Sequence, residues 1–185
     1  MDVKMAEGTL LEVGGILDFV GVPFFLTYGT CLGVYRDGRL IAHDEDIDLG
    51  ALAEHVTPVA SALAERFAEA GFGVRVITNP CGYPRAIVIR RGADHVDIAG
   101  FIRNGGSRFS PSTYNNCSYV YPAAMLETTE WIDYLGREWR VPSPIEKYLA
   151  LQYGAGWRKV DKRWRATKSP AYKPDYYRKS VRGAA

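Results

Sequence analysis

The sequence predicts an α+β domain: a mixed β-sheet flanked by helices, with a basic C-terminal extension. Three observations carry that prediction. Apolar residues recur at helical spacing near both ends of the first seventy residues, at Leu10, Leu11, Val13, Ile16, Leu17 and Val20, and again at Val59, Leu63, Phe67 and Ala70. Three strand-like runs rich in Ile and Val then follow one another without an intervening helical pattern. Finally, 185 residues suffice for one full hydrophobic core plus an appendage.

Residues 5–20 read as an amphipathic helix, weakened by Gly14-Gly15 and stopped by Gly21-Val22-Pro23. The apolar run 23–27 reads as a buried strand, followed by a short helix over 30–35, the Asp37-Gly38 turn and a second strand at 46–49. Thr57-Pro58 opens the clearest helix, with Gly71 as its stop signal. The strand candidates 73–78, 85–90 and 96–102 come next, the middle one nearly unbroken Ile/Val and therefore read as central. Runs 131–135 and 138–141 flank Gly136-Arg137 as a β-hairpin, and Pro144 opens a last helix over 145–153 that Gly154 ends.

Composition excludes several classes of function. Hydrophobic residues make up 47% and charged residues 24%, ordinary for a globular protein. No apolar run approaches the roughly 18 residues of a membrane helix, and the N-terminal residues lack a basic segment followed by an apolar stretch. The expectation is a cytoplasmic protein. Cys31, Cys81 and Cys117 are dispersed and odd in number, so neither a disulfide framework nor a zinc site is indicated. The net charge of +2 is uneven: residues 157–185 hold ten Lys/Arg against two Asp, leaving the preceding 156 residues acidic. The expected division is a catalytic domain over 1–156 and a basic, aromatic extension over 157–185.

Residues 28–50, YGTCLGVYRDGRLIAHDEDIDLG, carry the chemistry. In an extended strand Asp44, Asp46 and Asp48 would share one face, with Ile47 and Leu49 on the other. Three carboxylates so placed repel one another, and a divalent cation is the usual reason to keep them together. A calcium loop is excluded, because counting from Asp44 its sixth position holds Leu49 instead of Gly and its twelfth His55 instead of Glu. Asp97, within the apolar run DHVDIAG, supplies a fourth carboxylate on a neighbouring strand, with His95 on the same strand face positioned to orient it. The turn at Gly29-Thr30 opens a helix and offers backbone N–H groups to a phosphate.

This segment resembles the signature of the LicD/fukutin-type phosphotransferases, a branch of the nucleotidyltransferase-fold superfamily. The run HVDIAGF resembles the family's third-carboxylate strand, and VPSPIEKYLALQYGAGW resembles its C-terminal landmarks. The resemblance spans roughly residues 10–160. It implies a nucleotidyltransferase-like sheet, Mg²⁺ or Mn²⁺ held by Asp46, Asp48 and Asp97, and Asp44 as base or metal support. It also assigns Gly29 and Thr30 to the phosphate-cradling turn and Arg36 to a phosphate contact. The chain departs from the family at Cys31, where Leu is usual, at Ala42-His43, where Pro-Trp is common, and in being short.

The implied reaction moves a phospho-substituent, of phosphocholine or polyol-phosphate type, from a CDP-alcohol donor to a glycan or polyol-phosphate acceptor. The same acids would serve nucleotidyl transfer from an NTP. A third reading makes the chain an inactive binding module for an anionic polymer or membrane, through the basic tail; nucleic acid is not the expected partner.

Overall fold

The computed structural model describes residues 2–78, 84–111 and 117–176, with 84 and 85 described by backbone alone. Helix α1 (Val3–Val20) begins where the Asp2 carboxylate accepts from the N–H groups of Lys4 and Met5. It ends at Gly21, whose φ of +78° lets its N–H turn back onto the last carbonyls. Its buried stripe is Ala6, Leu10, Val13 and Leu17. Gly14 belongs to that stripe for a packing reason: a Cβ there would stand 2.9 Å from the Trp139 ring. The glycine pair that weakens the helical pattern is therefore partly a docking site.

Strand β1 (Phe24–Leu26), helix α2 (Tyr28–Asp37) and strand β2 (Ile47–Leu52) form the next unit. A short helix α3 (Ala53–Val56) and one 3₁₀ turn lead into α4 (Ala60–Glu69). Strands β3 (Gly73–Thr78), β4 (Pro84–Arg91), β5 (Asp94–Asn104), β6 (Ser107–Pro111) and β7 (Cys117–Pro122) follow, then α5 (Ala123–Glu127). The hairpin β8 (Thr129–Tyr134) and β9 (Arg137–Pro142), helix α6 (Ile145–Tyr153) and strand β10 (Tyr172–Pro174) complete the described chain.

The hub of the sheet is β5. It pairs in parallel with β2, antiparallel with β4 and, through its last three residues, antiparallel with β6. The path runs β1-β2-β5-β6-β7-β10, with β4 and β3 branching from β5. The middle candidate strand, β4, is inner, but the most connected strand is β5. Period-2 alternation separates its two faces. Ile47 and Leu49 register with Val96 and Ile98 and lie in the core with Ile87 and Ile89, while Asp48 registers with Asp97. Helices α1 and α4 pack on one another, on β5 and on the β3–β4 branch.

Two boundaries differ from the sequence expectation. Strand β2 starts at Ile47, so Asp44 and Asp46 precede it on a bend. The hairpin turn is Leu135-Gly136, one residue earlier than expected, both with positive φ as a type I′ turn demands. Strands β6, β7 and β10 carry no clean alternation and were not expected. Beyond residue 156 the chain packs back: Trp157 and Ala171 are buried, and β10 pairs with β7. Cys31 and Cys117 are buried free thiols; Cys81 and the tail residues Tyr177, Arg178, Lys179 and Arg182 lie outside the described residues. Among the described residues no helix is long and apolar enough to cross a membrane.

Candidate active site

A cavity of about 840 Å³ opens over the polar face of β2, β5 and β4. Its floor is small at Ala86 and Ala99, which leaves room above the carboxylates of Asp46, Asp48 and Asp97. Asp48 is held from three directions. The Gly29 N–H donates to its Oδ2 at 3.2 Å, its own N–H donates to Thr30 Oγ1 at 2.8 Å, and its carbonyl accepts from the Thr27 N–H at 3.2 Å. Gly29 and Thr30, expected to cradle phosphate, thus serve here to orient an acid. The absence of a side chain at Gly29 is a requirement: a Cβ would lie 2.0 Å from Asp44 Oδ2.

The carboxylate oxygens of Asp44, Asp46 and Asp48 lie within 4.8 Å of one another. The side chains therefore converge although only Asp48 sits in the strand. Asp97 stands at the register partner of Asp48, and its Oδ1 is 2.8 Å from His95 Nε2. The closest oxygen set is thus Asp44, Asp46 and Asp48, with Asp97 beside it.

Crowding raises the proton affinity of the cluster. Burial is the largest cause in each case. It pushes Asp48 well above the ordinary 3.8, reinforced by the charges of Asp46, Asp44 and Asp97. Asp46 is pushed up to about 6 by burial and then by Asp44 and Asp97. Asp44 is raised mainly by burial. A compact set of hard oxygen donors under mutual repulsion suits Mg²⁺ or Mn²⁺ and gives a soft metal no thiolate. The residues present fit such an ion.

Other expected residues play smaller parts. Arg36 lines the cavity but is clamped by Asp37 through two bonds, at 2.9 and 2.7 Å, and donates to the Trp157 carbonyl at 3.3 Å. Gly33 lets residues 39–41 approach, since a Cβ would meet the Arg39 carbonyl at 2.7 Å. His43 lines the cavity mouth beside Asp44.

Helix α6 and the segment after it contribute to the site although their local pattern does not announce it. The Tyr148 hydroxyl lies 2.5 Å from Thr27 Oγ1 and accepts from the Tyr28 N–H at 3.0 Å, fixing the start of α2 and with it Gly29. Tyr153, Trp157, Lys159, Lys162, Trp164 and Arg165 form a second wall of the cavity. Their basic and aromatic character was legible; their location was not, because nothing local says that the tail folds back.

The family model LicD/FKTN/FKRP, nucleotidyltransferase domain, matches residues 21–144, about two thirds of the chain. The human ribitol-5-phosphate transferase FKTN is 28% identical over 175 residues, and the mouse protein 29% over 174. Each match covers 90% of this chain and 36% of the relative, so the chain spans little more than a third of the length of those proteins. Among solved structures, the antibiotic-resistance factor ANT(2'')-Ia superposes with a TM-score of 0.52 at 17% identity, covering 100% of this chain and 86% of that one. That likeness shows a nucleotidyltransferase-type fold. The chain belongs to the LicD/FKTN/FKRP nucleotidyltransferase-domain family of transferases.

Proposed function

We propose that this chain catalyses metal-dependent transfer of a phospho-substituent from a CDP-activated donor to the hydroxyl of a glycan or polyol-phosphate acceptor. The observation that carries the reading is the convergence of Asp44, Asp46 and Asp48 beside Asp97, facing a cavity large enough for a nucleotide. Family membership and the FKTN relatives support the phospho-substituent.

Asp46 and Asp48 would hold the ion together with Asp97 or Asp44. A bound Mg²⁺ or Mn²⁺ neutralises phosphate charge and orients the phosphorus for in-line attack. Asp48, fixed by Gly29 and Thr30, sets the position of the donor phosphates. Asp44, raised by burial, takes the proton of the attacking hydroxyl. The new bond joins the acceptor oxygen to phosphorus, the bond from that phosphorus to the bridging oxygen breaks, and CMP departs. The Cys31 thiol is buried and held protonated by that burial, so it does not serve as a covalent nucleophile.

Titrating CDP-choline, CDP-ribitol, CTP and ATP into the protein, with and without Mg²⁺ or Mn²⁺, tests the reading. Metal-dependent binding of a CDP-alcohol, lost in Asp48→Asn, is the expected result. Preference for an NTP, with the nucleoside monophosphate found on the acceptor, would replace it with nucleotidyl transfer. No metal-dependent binding of any of the four would leave only an anion-binding module.

A further inference from the structure

The cavity is lined by acids and by cations, and the proposed chemistry uses only the acids. Residues 157–166 form a strap after α6 that lines the same cavity as the acids. Its start is fixed by the buried Trp157, whose carbonyl accepts from Arg36, and its far side by the Ala171 N–H donating to the Leu151 carbonyl at 3.1 Å. Turns stiffen it internally: the Trp164 N–H donates to the Asp161 carbonyl at 3.1 Å, and the Lys159 N–H to the Gly156 carbonyl at 2.9 Å. The strap is thus a built surface of defined shape.

Lys159, Lys162 and Arg165 line the cavity from this strap, and among the described residues no carboxylate pairs with any of them. Two neighbouring cations are engaged: Arg158 pairs with Glu146 and lies over the Trp157 ring, and Lys168 pairs with Asp161. Trp164, packed at a tilt against Tyr153 with centroids 4.8 Å apart, adds an indole Nε1–H that is shielded from solvent and meets no acceptor among the described residues. Three cations without a carboxylate partner, of which Arg165 donates only to the Trp164 carbonyl at 3.0 Å, and an unmatched donor in one segment suit an anion.

We propose that Lys159, Lys162 and Arg165 form a metal-independent anion subsite that holds a phosphate ester of one substrate while the acids and their ion act on another. This rests on the proposed function for the identity of the second wall, but its binding chemistry does not require the ion. The reaction would then favour a phosphorylated form of that substrate over its unphosphorylated form.

The test is equilibrium binding in EDTA at low salt, with ribitol 5-phosphate and CDP as probes. The wild type is compared with the exposed-residue triple variant Lys159→Ala/Lys162→Ala/Arg165→Ala. Loss of at least about tenfold in affinity for ribitol 5-phosphate is expected, together with a salt dependence that the variant lacks. A loss confined to ribitol 5-phosphate assigns the subsite to the acceptor, and a loss confined to CDP overturns the proposal, because the strap and the acids would then hold the same substrate. If neither probe binds without metal, or the variant binds both as well as the wild type, the subsite does not exist. Mn²⁺ titration of wild type and Asp48→Asn runs alongside. Failure of the wild type to bind Mn²⁺ would remove the metal reading and leave the subsite result standing.

Discussion

At the scale of single residues, the site depends on one missing side chain and one over-determined carboxylate. Gly29 stands so close to Asp44 that alanine must displace that carboxylate. Because the displaced atoms are the end of a side chain, Gly29→Ala should fold normally yet lose about tenfold or more in Mn²⁺ affinity, measured by titration. Unchanged affinity would mean that Asp44 lies outside the metal set. Asp46→Asn and Asp48→Asn remove charge from a self-repelling cluster, so each should abolish metal-dependent turnover while the melting temperature stays level or rises. Full activity in either variant sinks the assignment of these acids.

At the scale of elements, α2 and β2 are the pair that builds the site, and their fit is fixed from a distance. Tyr148 on α6 ties down the start of α2, while Phe25 and Phe101 close over Gly50 in β2, where a Cβ would lie 2.4 Å from the Phe25 ring. The second half of the sheet is secured by Arg108 on β6, itself buried. It reaches Glu54 on α3 and Glu127 on α5, and donates to the Phe101 carbonyl at 3.2 Å. Arg108→Ala should destabilise the protein by about 2–3 kcal/mol in denaturant titration, typical of lost bonds to a charged group. The loss stays below that for a fully buried pair because Glu54 and Glu127 remain partly solvated. A change under about 0.5 kcal/mol would show that this network is ornamental to the fold.

At the scale of the whole molecule, the acid cluster makes stability depend on pH and metal together. Asp46 rises from 3.8 to about 6 on folding, and burial raises Asp48 well above 3.8, so the folded state holds these protons more tightly than the unfolded chain. The metal-free protein therefore loses stability as pH climbs from about 4 through 6 and beyond. Glu12, Glu54 and Asp37, each held down by an arginine, act in the opposite sense, but only below about 4.5. In EDTA the melting temperature should be higher at pH 5 than at pH 7.5, and Mg²⁺ should raise it at pH 7.5 by mass action. A flat profile with no response to Mg²⁺ would falsify the coupling.

What the sequence determined by itself is whatever local periodicity and spacing encode. The strand alternation that puts Ile47 and Leu49 in the core and Asp48 opposite them, the helices with glycine stops, and the close-set acids were all legible, because each depends on residues a few positions apart. Even the bend that takes Asp44 and Asp46 out of β2 left the carboxylates together, since they are tethered within five residues. Tertiary structure alone decided three things. It placed Asp97 beside Asp48 through a parallel register, gave Tyr148 a hydrogen bond to α2, and folded the basic strap over the cavity. Each joins residues about 50 to 120 positions apart, where the partner is chosen by sheet pairing and shared burial instead of by any neighbour along the chain.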